Sequence, residues 1–81
     1  MQVEAKVFGL YRQIIGADKL TVTLPDGSTV AILIDLLNEK FEKLDMDVQR
    51  TVVIVNGTRA LPATILNNGD EAFILQLMSG G

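Results

Sequence analysis

Residues 30–44 are the one long stretch of this chain whose apolar side chains recur at helical spacing. At about 100° per residue, Val30, Leu33, Ile34, Leu37, Phe41 and Leu44 fall within a stripe about 100° wide. Asp35, Glu39, Glu42 and Lys43 lie off that stripe and are expected in solvent. With Asp45 and Asp47, the acids form a face able to attract a basic partner at long range. Ser28 or Thr29 is placed to cap the first turn. Ile32 falls nearly opposite the stripe and Leu36 beside it, so the stripe accounts for neither. A lone amphipathic helix cannot bury its own apolar face, so the rest of the chain has to supply a sheet for it to lie on.

The remaining apolar segments have the period of strands. Val3 to Phe8 alternates, with Val3, Ala5 and Val7 expected inward and Glu4, Lys6 and Phe8 outward. Leu10, Tyr11, Ile14 and Ile15 have the spacing of one or two helical turns, and Gly16 suits their stop. Leu20 to Leu24 alternates again and runs into Pro25-Asp26-Gly27, a turn. After the long helix, Asp45-Met46-Asp47 reads as a polar break. Thr51 to Val55 is a β-branched run closed by Asn56-Gly57. Residues 59–65 include Pro62 and allow at most an edge strand of two or three residues. Leu66 to Asp70 is a turn, and Ala72 to Met78 forms the last strand. The order β, short helix, β, long helix, β, weak β, β describes an α+β fold. Four to five strands form a mixed sheet, the long helix packs on one face, and the short helix follows the first strand. This is the β-grasp, or ubiquitin-like, arrangement, with the first and last strands parallel at its centre. One domain over residues 1–78 and a flexible Ser-Gly-Gly tail over 79–81 are expected.

Composition removes several function classes. Eighty-one residues make one domain, and 48% hydrophobic content is too apolar for a disordered segment. Charged or turn residues interrupt every apolar run before the roughly 18–20 residues of a membrane helix, and no basic-then-apolar leader begins at Met1. A cytoplasmic location with no membrane association is the expectation. The chain has no Cys and no His, which removes a thiolate nucleophile, the usual general base and the commonest metal ligands, so no metal site is expected. Seven scattered basic residues and a net charge of −3 argue against nucleic-acid binding. Gly57 and Gly69 read as turn glycines, since no phosphate-binding glycine pattern is present. The acids lack the spacing of a calcium loop.

The chain ends in Gly80-Gly81. Without Cβ atoms such a tail is thin enough to thread a narrow channel in a partner, which is the role expected of Gly80. The Gly81 carboxylate is then the one reactive group the chain offers, once activated as an acyl-adenylate. Four segments make the tail specific. Phe8-Gly-Leu-Tyr-Arg12-Gln-Ile-Ile-Gly16 resembles the F-x-x-x-R-x-x-x-G segment of the MoaD family. Val55-Asn56 resembles that family's VN turn, Leu66-x-x-Gly69-Asp70-Glu71 its L-x-x-G-D-E motif, and Ser79-Gly80-Gly81 its terminal T/S-G-G. Together they identify the chain as similar to MoaD/ThiS-type sulfur carriers. The short helix favours the MoaD side. Gln76-Leu77-Met78, where MoaD proteins commonly carry prolines, is closer to the ThiS ending.

The resemblance implies a carrier that is no enzyme on its own, but a sulfur-donating small subunit or co-substrate of a molybdopterin-synthase-type complex. It binds no cofactor itself. An E1-like adenylyltransferase of the MoeB or ThiF type would use ATP and magnesium to adenylate Gly81. A persulfide donor such as a cysteine desulfurase or a rhodanese would then convert Gly81 to a thiocarboxylate. In the molybdopterin branch the carrier pairs with a MoaE-like large subunit and gives its sulfur to the cyclic pyranopterin precursor. A ThiS-type carrier feeding a ThiG-type synthase, a carrier for another thio-metabolite, a ubiquitin-like protein modifier and a plain β-grasp interaction module remain open. Arg12 is expected to make local hydrogen bonds or ion pairs.

Strand alternation adds an expectation about docking. With Val53, Val55, Ala72 and Ile74 inward, Val52, Ile54, Phe73 and Leu75 face away from the long helix, joined by Phe8 and then Leu77. Such an apolar patch marks a partner surface, unless the irregular 58–65 segment covers part of it or the strand register is the reverse.

Overall fold

The computed structural model describes residues 1–76. Its elements are β1 (Gln2–Val7), α1 (Gly9–Ile15), β2 (Lys19–Thr23), α2 (Val30–Lys40), β3 (Thr51–Val55), β4 (Thr58–Ala60) and β5 (Glu71–Gln76). The strands form one mixed sheet in the order β2-β1-β5-β3-β4, in which only the central β1–β5 pair is parallel. This is the β-grasp arrangement that the order of apolar patterns implies.

Alternation in the two central strands sets the core. Val3, Ala5 and Val7 of β1 and Ala72 and Ile74 of β5 are buried, together with Val30, Leu33, Ile34 and Leu37 of α2. Ala5 stands beside Ala72 in the parallel register, so the middle of the sheet is shallow on that face. The large aliphatic side chains of α2 share one core cluster with it.

The ends of α2 show how the irregular segments contribute. Thr29 is the N-cap, its Oγ1 accepting from the Ile32 N–H at 3.4 Å. Two more first-turn donors are met from the loop after β4: Val30 N–H donates to Thr64 O (3.0 Å) and Ala31 N–H to Pro62 O (3.0 Å). The apolar stripe runs to Leu44, but the helix stops at Lys40. Phe41 leaves helical geometry (φ −117°, ψ 103°), and Leu44 reaches the core through a turn closed by its N–H on Phe41 O at 2.9 Å. Met46, read as part of a polar break, is also buried. The Asn38 side chain holds it there, donating to Met46 O (2.8 Å) and accepting from Met46 N–H (2.9 Å).

β4 starts at Thr58, just ahead of the segment expected to hold it. The β3–β4 turn needs two left-handed residues in succession, and Asn56 (φ 50°) and Gly57 (φ 86°) supply them. Among the described residues no helix is long and apolar enough to cross a membrane.

Candidate functional site

The sheet face turned away from α2 carries the expected patch. In the β3–β5 register Phe73 lies opposite Ile54 and Leu75 opposite Val52. All four are half-buried, and none joins the core cluster or the side chains packed against it. Phe8 belongs to the same surface by a different route. β1 ends at Val7, and Phe8 is the extended N-cap residue of α1 (φ −137°, ψ 161°), 48% exposed. Its ring meets Phe73 edge to face, with centroids 6.1 Å apart and planes at 86°. Lys6 covers Phe73 from the β1 side, its Nζ 5.1 Å from the ring centroid and 3.2 Å from Glu71 Oε1. Phe73 is thus the centre of the patch. Leu77, Gly80 and Gly81 lie outside the described residues, as does the tail over 79–81.

Two of the short motifs are bonded to one another. Asn56 N–H donates to Glu71 O (3.0 Å), and Asn56 Oδ1 accepts from Glu71 N–H (3.1 Å). Asn56 Nδ2 donates to Asp70 Oδ1 (2.8 Å), while Asp70 Oδ2 accepts from Asn67 N–H (2.8 Å). Asp70 is buried, only 8% exposed. From the other side Gly69 N–H donates to Gln2 O (2.8 Å) and Glu4 N–H to Asp70 O (2.9 Å). The start of β5 is therefore clamped between β3 and β1, which fixes the register that sets Phe73 opposite Ile54. The sequence marks Asn56 and Asp70 through their motifs, yet offers no periodic signal that they form one network. Every buried side-chain nitrogen or oxygen among the described residues has a partner.

The remaining motif spans α1. Gly16 closes that helix in the left-handed region (φ 83°), its N–H donating to Arg12 O at 2.8 Å. Arg12 Nε pairs with Asp18 across the connection from α1 to β2, both side chains largely exposed. Such a pair orders the connection and contributes about 0–1 kcal/mol. No group of three or more acidic side chains among the described residues is placed to hold a metal ion. The geometry offers an apolar face centred on an aromatic, on a strand that continues in sequence toward the tail.

Comparison with known proteins identifies the family. The family model of the ThiS family matches residues 5–81. The chain belongs to the ThiS family. A curated relative, the molybdopterin synthase sulfur carrier subunit of Arabidopsis thaliana, is 28% identical over 81 residues, covering 100% of this chain and 84% of the relative. Among solved structures, the protein assigned as subunit 1 of a molybdopterin converting factor in Pyrococcus furiosus superposes with a TM-score of 0.83. It is 26% identical, with 96% of this chain and 99% of that one covered. SAMP1 of Haloferax volcanii, a small archaeal modifier protein, gives a TM-score of 0.84 at 24% identity with both chains fully covered, a likeness of fold.

Proposed function

We propose that this chain is a sulfur carrier that works through Gly81, as the small subunit of a molybdopterin-synthase-type complex. The observation that carries the reading is the apolar face centred on Phe73, on the strand that leads in sequence to the Gly-Gly tail. The family match over residues 5–81 and the sulfur carrier subunit at 28% identity support it. An E1-like adenylyltransferase docks on that face and receives the tail. The Gly81 carboxylate attacks the α-phosphorus of ATP, with magnesium held by the enzyme, and pyrophosphate leaves. The terminal sulfur of a donor cysteine persulfide then attacks the acyl carbon and expels AMP. A second thiol reduces the acyl disulfide so formed, leaving the thiocarboxylate on Gly81 and a disulfide on the donor side. The large synthase subunit then occupies the same face while the thiocarboxylate sulfur displaces an oxygen substituent of the pyranopterin precursor, and water cleaves the acyl–sulfur bond so formed, leaving the sulfur on the pterin and restoring the Gly81 carboxylate. The side chains of this protein bind and orient, and the reacting groups outside Gly81 belong to partners.

The Gln76-Leu77-Met78 approach to the tail, without prolines, favours a second reading. In it the same Gly81 chemistry serves thiamine or another thio-metabolite through a ThiG-type synthase. Co-purification separates the two. A MoaE-like subunit retained on the tagged chain supports the molybdopterin assignment, and a ThiG-type synthase retained in its place overturns it.

A further inference from the structure

The register across the outer face links all five strands in one row. Lys19 of β2 stands opposite Lys6 of β1, Lys6 beside Phe73 of β5, Phe73 opposite Ile54 of β3, and Ile54 opposite Arg59 of β4. The row is apolar in the middle and cationic at both ends. With strands about 4.8 Å apart, Arg59 stands roughly 14 Å from Lys6 and roughly 19 Å from Lys19. Lys19 and Arg59 are exposed. The acids of the same face are Glu71, paired with Lys6 at 3.2 Å, and Glu4, which faces Thr21 of β2 and stands beside Glu71 in the parallel register. On the α2 side and the loop after it, exposed Asp35, Glu39, Glu42, Asp45 and Asp47 outnumber exposed Lys40 and Lys43, whereas cations outnumber acids on the outer face.

The pairing of Lys19 with Lys6 is the informative feature. Like charges directly opposite on neighbouring strands destabilise a sheet. Glu71 offsets Lys6, but Lys19 gains no ion pair among the described residues. Folding would be served better by a neutral or acidic residue at position 19.

We infer that this row is a charge-matched docking surface, and that the adenylating partner presents an apolar centre flanked on both sides by acidic groups at a similar spacing. The inference rests on the proposal that this face receives the adenylating enzyme, and it adds what that enzyme's surface must look like. Opposed charges at the two ends fix the rotation of the carrier on its partner and so aim the tail, and they speed encounter at low salt.

The test uses the full chain and a MoeB/ThiF-type adenylating enzyme shown to thiocarboxylate it. Association rates are measured by stopped flow at low and high salt. Lys19→Glu is expected to raise Tm, by turning a like-charge pair into an opposite one, and at the same time to slow association. A structural role would not split those readouts. Lys19→Glu combined with Arg59→Glu is expected to slow association on the order of tenfold at low ionic strength. The gap should close near 1 M salt, where the screening length falls to about 3 Å. Lys40→Glu combined with Lys43→Glu changes the net charge equally from the other side, and is expected to alter the rate less than about twofold. Equal slowing by the two double variants, or a raised Tm in Lys19→Glu with an unchanged rate, overturns the inference. Thiocarboxylation of the wild-type chain would still stand in either case. A wild-type chain that no such enzyme binds or modifies overturns both this inference and the sulfur-carrier reading.

Discussion

Replacing Asp70 with Ala tests whether the clamp at the start of β5 holds the sheet together. The substitution removes the acceptors of two bonds of 2.8 Å, from Asn56 Nδ2 and from Asn67 N–H. A hydrogen bond to a charged group contributes about 1.5–3 kcal/mol. Both donors sit on exposed residues and can be rehydrated, so the two losses together come to about 2 kcal/mol. A domain of this length is stable by roughly 4–12 kcal/mol in all. One kcal/mol moves Tm by roughly 4–8 °C at this size, so Asp70→Ala should lower Tm by roughly 8–16 °C. Asp70→Asn keeps one accepting oxygen but turns an amide donor toward one of the two N–H groups, and should lose about half as much. Thermal unfolding followed by calorimetry reads both, with Asp45→Ala as an exposed control. Hydrogen exchange adds a local readout at the Glu71 amide, which is bonded to Asn56 Oδ1. A Tm for Asp70→Ala within about 2 °C of wild type would refute the clamp.

Further expectations concern the patch, the core and a turn. Phe73→Asp removes the ring that both Phe8 and Lys6 pack on. It should abolish binding to the adenylating enzyme and to the large synthase subunit while the far-ultraviolet circular dichroism stays that of the wild type; unchanged binding would remove the patch from the account. Leu33, fully buried beneath the sheet, should lose about 2–5 kcal/mol on change to Ala, read from urea midpoints at constant m-value. Gly16→Ala forces a side chain into the left-handed region at φ 83° and should cost about 1–2 kcal/mol, although open space surrounds the position. A stability equal to wild type would mean that α1 ends differently in solution.

How much of this was legible in the sequence varies with the range of the interaction. Period-two alternation placed Val3, Ala5, Val7, Ala72 and Ile74 inward and Phe73 outward, because a pleated strand leaves no other choice once one face is buried. Asn56-Gly57 and Gly16 were equally readable, since each answers a backbone conformation that few residues adopt. The end of α2 was not, because the apolar stripe continues to Leu44 while the backbone turns away at Phe41, and both routes bury Leu44. Met46 lies between two aspartates and looks exposed by composition. Its burial depends on Asn38 mimicking a neighbouring strand, which carries no periodic signature. Phe8 was expected to face outward as part of a strand, and it does so as the cap of α1. The row from Lys19 to Arg59 depends on the register of four strand pairs, which is set in part by the Asn56–Asp70 bond between residues fourteen apart.

Incubation of the chain with a MoeB/ThiF-type enzyme, ATP, magnesium and a persulfide source, followed by intact mass spectrometry, tests the central claim most directly. The sulfur-carrier account predicts that one oxygen is replaced by sulfur, that the change maps to the Gly81 carboxylate, and that a variant lacking Gly81 gains nothing. A chain that forms neither adenylate nor thiocarboxylate with any such enzyme, while the same enzymes modify their own carriers, would contradict it.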